Sequence, residues 1–150
     1  MAEVMHSILF VCIHNSARSQ MAEAFLNKYG KDRFQAESAG IEPGKLNPNV
    51  IRVMQEVGID LTKKGTQGVF DLFREGKLFK AVITVCDAAS AERCPIFPGP
   101  VKRVAWSFAD PSSFKGTPEE TLDFTRKLRD EIEKTIIGFV EQASSVGYWM

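Results

Sequence analysis

The sequence predicts an α/β fold built on a parallel sheet. Short apolar runs alternate with stretches of helical periodicity along the chain. One run, Ala81-Val82-Ile83-Thr84-Val85, is apolar on both faces, as befits a central parallel strand. A small polar loop, Cys12 to Arg18, joins the first apolar run to the first helical stretch.

The elements follow in order. Residues 7–12 form the first strand, and residues 18–29 a helix that Gly30 ends. Residues 34–39 are a short second strand, and residues 40–48 a loop carrying Pro43 and Pro48. Over 49–57 the spacing of Val50, Ile51, Val53, Met54 and Val57 gives a helix with one buried face, stopped by Gly58. Residues 66–75 give a third helix with Val69, Leu72 and Phe73 inward, its start weakened by Gly65 and Gly68. The third strand covers 81–85, a Pro- and Gly-rich loop spans 94–100, and the fourth strand runs from Lys102 to Trp106. Thr117-Pro118-Glu119-Glu120 opens the last helix with a cap, a first-position proline and a capping-box glutamate, and the helix continues to Ala143.

Composition narrows the function. A chain of 150 residues suggests one domain over 1–150, large enough for a core that needs no disulfide staples. A formal net charge of zero argues against nucleic acid or an anionic membrane surface as partner. The apolar run from Ile8 to Val11 is too short for a signal peptide or a membrane span, so the expected location is cytoplasmic. In that reducing compartment three cysteines are not a structural framework. An odd count suits one disulfide plus one free nucleophile.

Cys12-Ile13-His14-Asn15-Ser16-Ala17-Arg18-Ser19 carries the chemistry. The backbone amides of Ile13, His14, Asn15, Ser16 and Ala17, with the first turn of the following helix, can converge on one anion, which the helix dipole favours. Arg18 adds a planar fork of donors for a tetrahedral oxyanion. The same field favours the thiolate form of Cys12 at the base of the cup. Ser19 is placed to donate to that thiolate. Asn15 tolerates the backbone angles a tight loop needs. The plain alternative is a buried structural cysteine with an arginine nearby. The order strand, loop, helix, with small polar residues between, speaks against it.

At these residues the chain resembles the low-molecular-weight phosphatase superfamily, and Asn15 to Glu23 is more similar to its arsenate reductase branch. The phosphatase branch carries glycine and proline where this chain has His14 and Gln20. The resemblance spans nearly the whole chain and implies four strands in the order 2-1-3-4. If strands one and three are neighbours, Cys86 ends its strand on the same sheet edge as Cys12, about 4.8 Å away across the ladder, within reach of a disulfide. Cys94 follows after the small polar stretch Asp87 to Arg93. Reductases coupled to thioredoxin have such a trio, which implies a Cys12-Cys86-Cys94 relay. Glutathione with glutaredoxin is the alternative reductant.

Asp110 stands in Trp106-Ser107-Phe108-Ala109-Asp110-Pro111, after strand four. Alone, Asp-Pro is usually a turn. The resemblance makes it the general acid. The tyrosine with which phosphatases commonly continue is absent here, where Ser112-Ser113 stand. Some reductases of the branch bind potassium beside the cup, and Asn15, Glu23, Ser38 and Thr66 match their ligands. The aspartate expected two residues after the threonine is Gly68. The expected activity is arsenate reduction with Cys12, Arg18, Ser19, Cys86, Cys94 and Asp110 in the catalytic set and no tightly bound cofactor besides potassium. The rivals are a tyrosine phosphatase using Cys12, and a non-catalytic oxyanion or redox sensor.

Overall fold

The computed structural model describes residues 5–86 and 101–149. Cys94 and the segment 87–100 lie outside them. Four strands, β1 (His6–Cys12), β2 (Phe34–Gly40), β3 (Ala81–Thr84) and β4 (Lys102–Ala105), form one parallel sheet in the order β2-β1-β3-β4. The helices are α1 (Arg18–Tyr29), α2 (Pro48–Gln55), α3 (Val69–Arg74) and α4 (Pro118–Ala143). Short 3-10 turns follow at Pro111–Ser113 and Val146–Trp149.

Strand β1 organises the molecule because it is an inner strand, paired on both sides, and is buried on both faces from Ile8 to Cys12. Its side chains alternate between two cores, as the pleat requires. Ile8, Phe10 and Cys12 join α1, α2 and α4 in the larger cluster, with Phe25, Met54, Ile132 and Ile136. Leu9 and Val11 face the smaller one, with Val69, Leu72 and Val82. Each fully buried side chain of this size contributes about 1.5–3 kcal/mol relative to exposure. The sheet centre is therefore a rigid base for the loop that leaves Cys12.

The local signals explain the helix ends. Asn47 caps α2 by accepting the Asn49 N–H at 2.8 Å, with Pro48 in the first position. Thr117 and Glu120 form a reciprocal capping box on α4, at 3.0 and 3.1 Å. Along α4, Leu122, Thr125, Leu128, Ile132, Ile136, Phe139 and Ala143 bury one stripe.

The structure corrects the third helix. It is six residues long instead of ten, and Phe73 is 52% exposed while Val69 and Leu72 are buried. Gly68 has extended backbone (ψ 140°) and pairs as an isolated bridge with Gly40, so the helix starts only after it. Sheet pairing wins over a weak helical start. In α2 the helix ends at Gln55, and Gly58, with φ +81°, carries the turn out of it.

Candidate active site

The loop after β1 is shaped from outside. Its carbonyls are taken by the segment after β2: Ile41 N–H donates to Cys12 O at 3.3 Å, Glu42 to Ile13 and Gly44 to His14 at 2.9 Å, and Asn47 to Ser16 at 2.9 Å. In a trans peptide the carbonyl and the next N–H point opposite ways. The amides of Ile13, His14, Asn15 and Ala17 therefore point away from that segment, on the side of Cys12. Asn15 N–H lies 3.2 Å from Cys12 Sγ. The turn depends on Asn15, whose φ of +56° is left-handed. It depends equally on Gly40, where a Cβ would lie 2.6 Å from Ile13 O and 2.8 Å from Asn15 N.

Cys12 is 2% exposed and a free thiol. Ser19 Oγ stands 2.9 Å from its sulfur. A chain of hydrogen bonds leads up to that contact. Asn15 Oδ1 accepts from Gln67 N–H at 3.0 Å and Gln20 Nε2 at 3.1 Å, so the amide nitrogen faces the other way. Asn15 Nδ2 donates to both Ser38 Oγ (2.8 Å) and Ser19 Oγ (2.9 Å). The Ser38 hydroxyl donates a hydrogen bond to Glu23 Oε1 at 2.8 Å. Ser19 Oγ thus accepts from Asn15 while its hydroxyl proton remains available to the Cys12 sulfur.

Arg18 opens α1 and is 3% exposed. Its Nη1 donates to Phe108 O at 3.1 Å, and Nη2 lies 3.8 Å from Asp110 Oδ2. The guanidinium thus ties the segment after β4 to the cup. Asp110 is held by its own turn, accepting Ser112 N–H at 2.9 Å and the Ser113 hydroxyl at 3.2 Å. The His14 side chain faces solvent, with Nδ1 3.0 Å from Glu42 O.

The register pairs Val11 with Thr84, and Val85 N–H donates to Val11 O at 3.0 Å. Cys86 is thus one step beyond the point opposite Cys12, at the same end of the sheet. It is buried and disulfide-bonded. Thr66 turns its hydroxyl to Gly44 O at 2.5 Å, away from the Glu23–Ser38–Asn15 group.

Sequence reasoning passed over Gln20, Gln67, Gly40 and Lys64. Gln20 Nε2 reaches Asn15 O, Asn15 Oδ1 and Gly65 O at 3.0–3.1 Å, bracing the loop from α1. Gln67 Nε2 donates to Ser38 O at 2.8 Å. The partners of Gln67, and Gly65 O for Gln20, come from distant segments, so no local pattern announces them.

The comparisons agree with this geometry. Residues 7–146 match the family described as low molecular weight phosphotyrosine protein phosphatase. The arsenate reductase of Bacillus subtilis is 42% identical over 135 residues, covering 89% of this chain and 94% of that protein. A crystal structure of arsenate reductase from Archaeoglobus fulgidus superposes with a TM-score of 0.73 at 32% identity, covering 89% of this chain and 98% of the other. A thioredoxin-dependent arsenate reductase of Corynebacterium glutamicum superposes at 0.60 with 25% identity, covering 97% of this chain and 66% of the other. With its parallel sheet, its Cys-x5-Arg cup and these relatives, the chain belongs to the low-molecular-weight phosphotyrosine protein phosphatase family.

Proposed function

We propose that this chain is an arsenate reductase that forms a thiol-arsenate adduct on Cys12 and clears it through a relay of Cys86 and Cys94. Cys12, as thiolate, attacks arsenic in an oxyanion held by the loop amides and Arg18. Asp110 gives a proton to the departing oxygen, which leaves as water. Cys86, as thiolate, attacks the Cys12 sulfur. The sulfur–arsenic bond breaks and its electron pair stays on arsenic, which leaves as arsenite. Cys12 and Cys86 are now joined. Cys94 attacks Cys86, Cys12 departs as thiolate, and an external dithiol supplies the two electrons that reopen Cys86–Cys94.

The observation that carries the reading is a free, buried Cys12 in a complete cup, with an oxidised Cys86 at the same sheet end. A bonded Cys86 beside a free Cys12 supports a relay that regenerates Cys12 before external reduction. The arsenate reductases among the relatives support the choice of substrate. The thioredoxin-dependent neighbour supports a thioredoxin-type reductant.

The test is steady arsenite production with thioredoxin, and separately with glutathione and glutaredoxin. Turnover with thioredoxin that Cys12→Ser, Cys86→Ser and Cys94→Ser each abolish is the expected result. Turnover with glutaredoxin alone, or thioredoxin-driven turnover by Cys94→Ser, would overturn the relay. Aryl phosphate hydrolysis without arsenite would favour a phosphatase, and a single turnover a sensor.

A further inference from the structure

Glu23 is an acidic side chain only 8% exposed, beside the nucleophile's hydrogen-bond chain. Its two oxygens are divided. Oε1 accepts the Ser38 hydroxyl at 2.8 Å, and Oε2 holds the Lys64 ammonium at 2.6 Å. The sequence matches a potassium site here, at Asn15, Glu23, Ser38 and Thr66. While Lys64 holds Glu23, the structure does not fit a further ion at those residues. Asn15 Oδ1 already accepts from Gln67 and Gln20, Ser38 Oγ already accepts from Asn15, and Thr66 points to Gly44 O. One carboxylate balances one positive charge, and Lys64 supplies it. Gly68 stands where a second carboxylate would be needed.

We infer that the Lys64 ammonium is a tethered cation that takes the part of potassium. It neutralises Glu23 and so holds the chain Glu23–Ser38–Asn15–Ser19–Cys12 in one orientation. Every link of that chain is within 2.9 Å. A carboxylate oxygen that accepts at one end makes Ser38 a donor, Asn15 Nδ2 donates to both serines, and Ser19 is held against the sulfur. The side chain of Lys64 is 37% exposed, so it enters from the surface and can be replaced without opening the core. Lys64 touches no reacting atom and is a positioning residue.

The experiment compares the full-length reduced parent and Lys64→Met in choline chloride and in potassium chloride at equal ionic strength. Melting temperature and the rate of Cys12 alkylation, resolved by peptide mapping, are the readouts. Neither needs arsenate turnover, so failure here is distinct from failure of the proposed function. The parent is expected to be the same in both salts. Lys64→Met is expected to melt about 2–4 °C lower in choline, to alkylate Cys12 at an altered rate, and to recover both properties in potassium. Adding Glu23→Gln to Lys64→Met should remove the potassium response. A parent that potassium stabilises as much as it does the variant would overturn the inference. So would a variant that matches the parent in choline, or one whose loss potassium does not repair.

Discussion

Ser19 Oγ lies 2.9 Å from Cys12 Sγ and accepts a hydrogen bond from Asn15 Nδ2, which leaves its own proton available to the sulfur. The serine one step into α1 thus sits against the sulfur that ends β1. Ser19→Ala keeps the fold and removes this donor. A hydrogen bond to a charged group contributes about 1.5–3 kcal/mol, so reactivity of Cys12 near neutral pH should fall roughly 10- to 100-fold. Iodoacetamide alkylation of Cys12 reads this directly. An unchanged rate would show that Ser19 does not hold the thiolate.

Gly40→Ala should damage the cup from behind. The new Cβ would press on backbone atoms of Ile13, His14 and Asn15 at 2.6–2.9 Å, where no side chain can swing aside. Such overpacking costs about 1–3 kcal/mol, a fall of roughly 2–10 °C in melting temperature. Affinity for inorganic phosphate or arsenate should drop as well, because the loop amides move. Thermal denaturation with and without the oxyanion measures both, and a normal oxyanion-induced shift would argue against the crowding.

Asp110→Asn removes the proposed acid and keeps the shape. Its oxygens accept from Ser112 N–H and the Ser113 hydroxyl and stand 3.8 Å from Arg18. General acid catalysis contributes about 10²- to 10⁴-fold, and the loss is expected in the step that forms the arsenate adduct. Rapid-quench measurement of that step, with oxyanion affinity measured alongside, separates the acid's role from binding. Parent-like adduct formation would remove Asp110 from the mechanism.

His6 should make stability fall in mild acid. It stacks on Trp149 at 4.8 Å, and its Nδ1 is buried with no hydrogen-bond partner among the described residues. Burial first, and the charges of Lys80 and Arg33 second, push its pKa below 6.5. The unfolded chain therefore takes up the proton before the folded one does. This contribution is complete above 6.5 and is lost as the pH falls through the lower folded value. Urea unfolding between about pH 7.5 and about pH 5 should show it, and His6→Phe should flatten that part of the profile. An unchanged profile in the variant would assign the acid sensitivity to other groups.

Much of the fold was legible because its signals are local. The apolar runs, the Thr117 capping box and Gly30 after Tyr29 each fix an element through a few neighbouring residues, whereas the start of α2 at Pro48, capped by Asn47, reads as loop in the sequence. The third helix was misread where a local signal competed with a distant one. Gly68 pairs with Gly40, and Phe73 then turns outward.

In the site the division is the same. The sequence by itself determined that Cys12 ends a buried strand, that Arg18 begins a helix, and that a short loop of small and polar residues joins them, since these are matters of adjacency. Only the tertiary structure decided what holds that loop in shape. The carbonyls of Cys12, Ile13, His14 and Ser16 are taken by the segment 41–47, Gln67 fixes the Asn15 amide, Phe108 receives Arg18, and Lys64 reaches Glu23. Each of these contacts joins residues about 30 to 90 positions apart in the chain. A hydrogen bond or ion pair of that span leaves no spacing pattern in the sequence, because the sheet and its crossovers, not the neighbouring residues, bring the partners together.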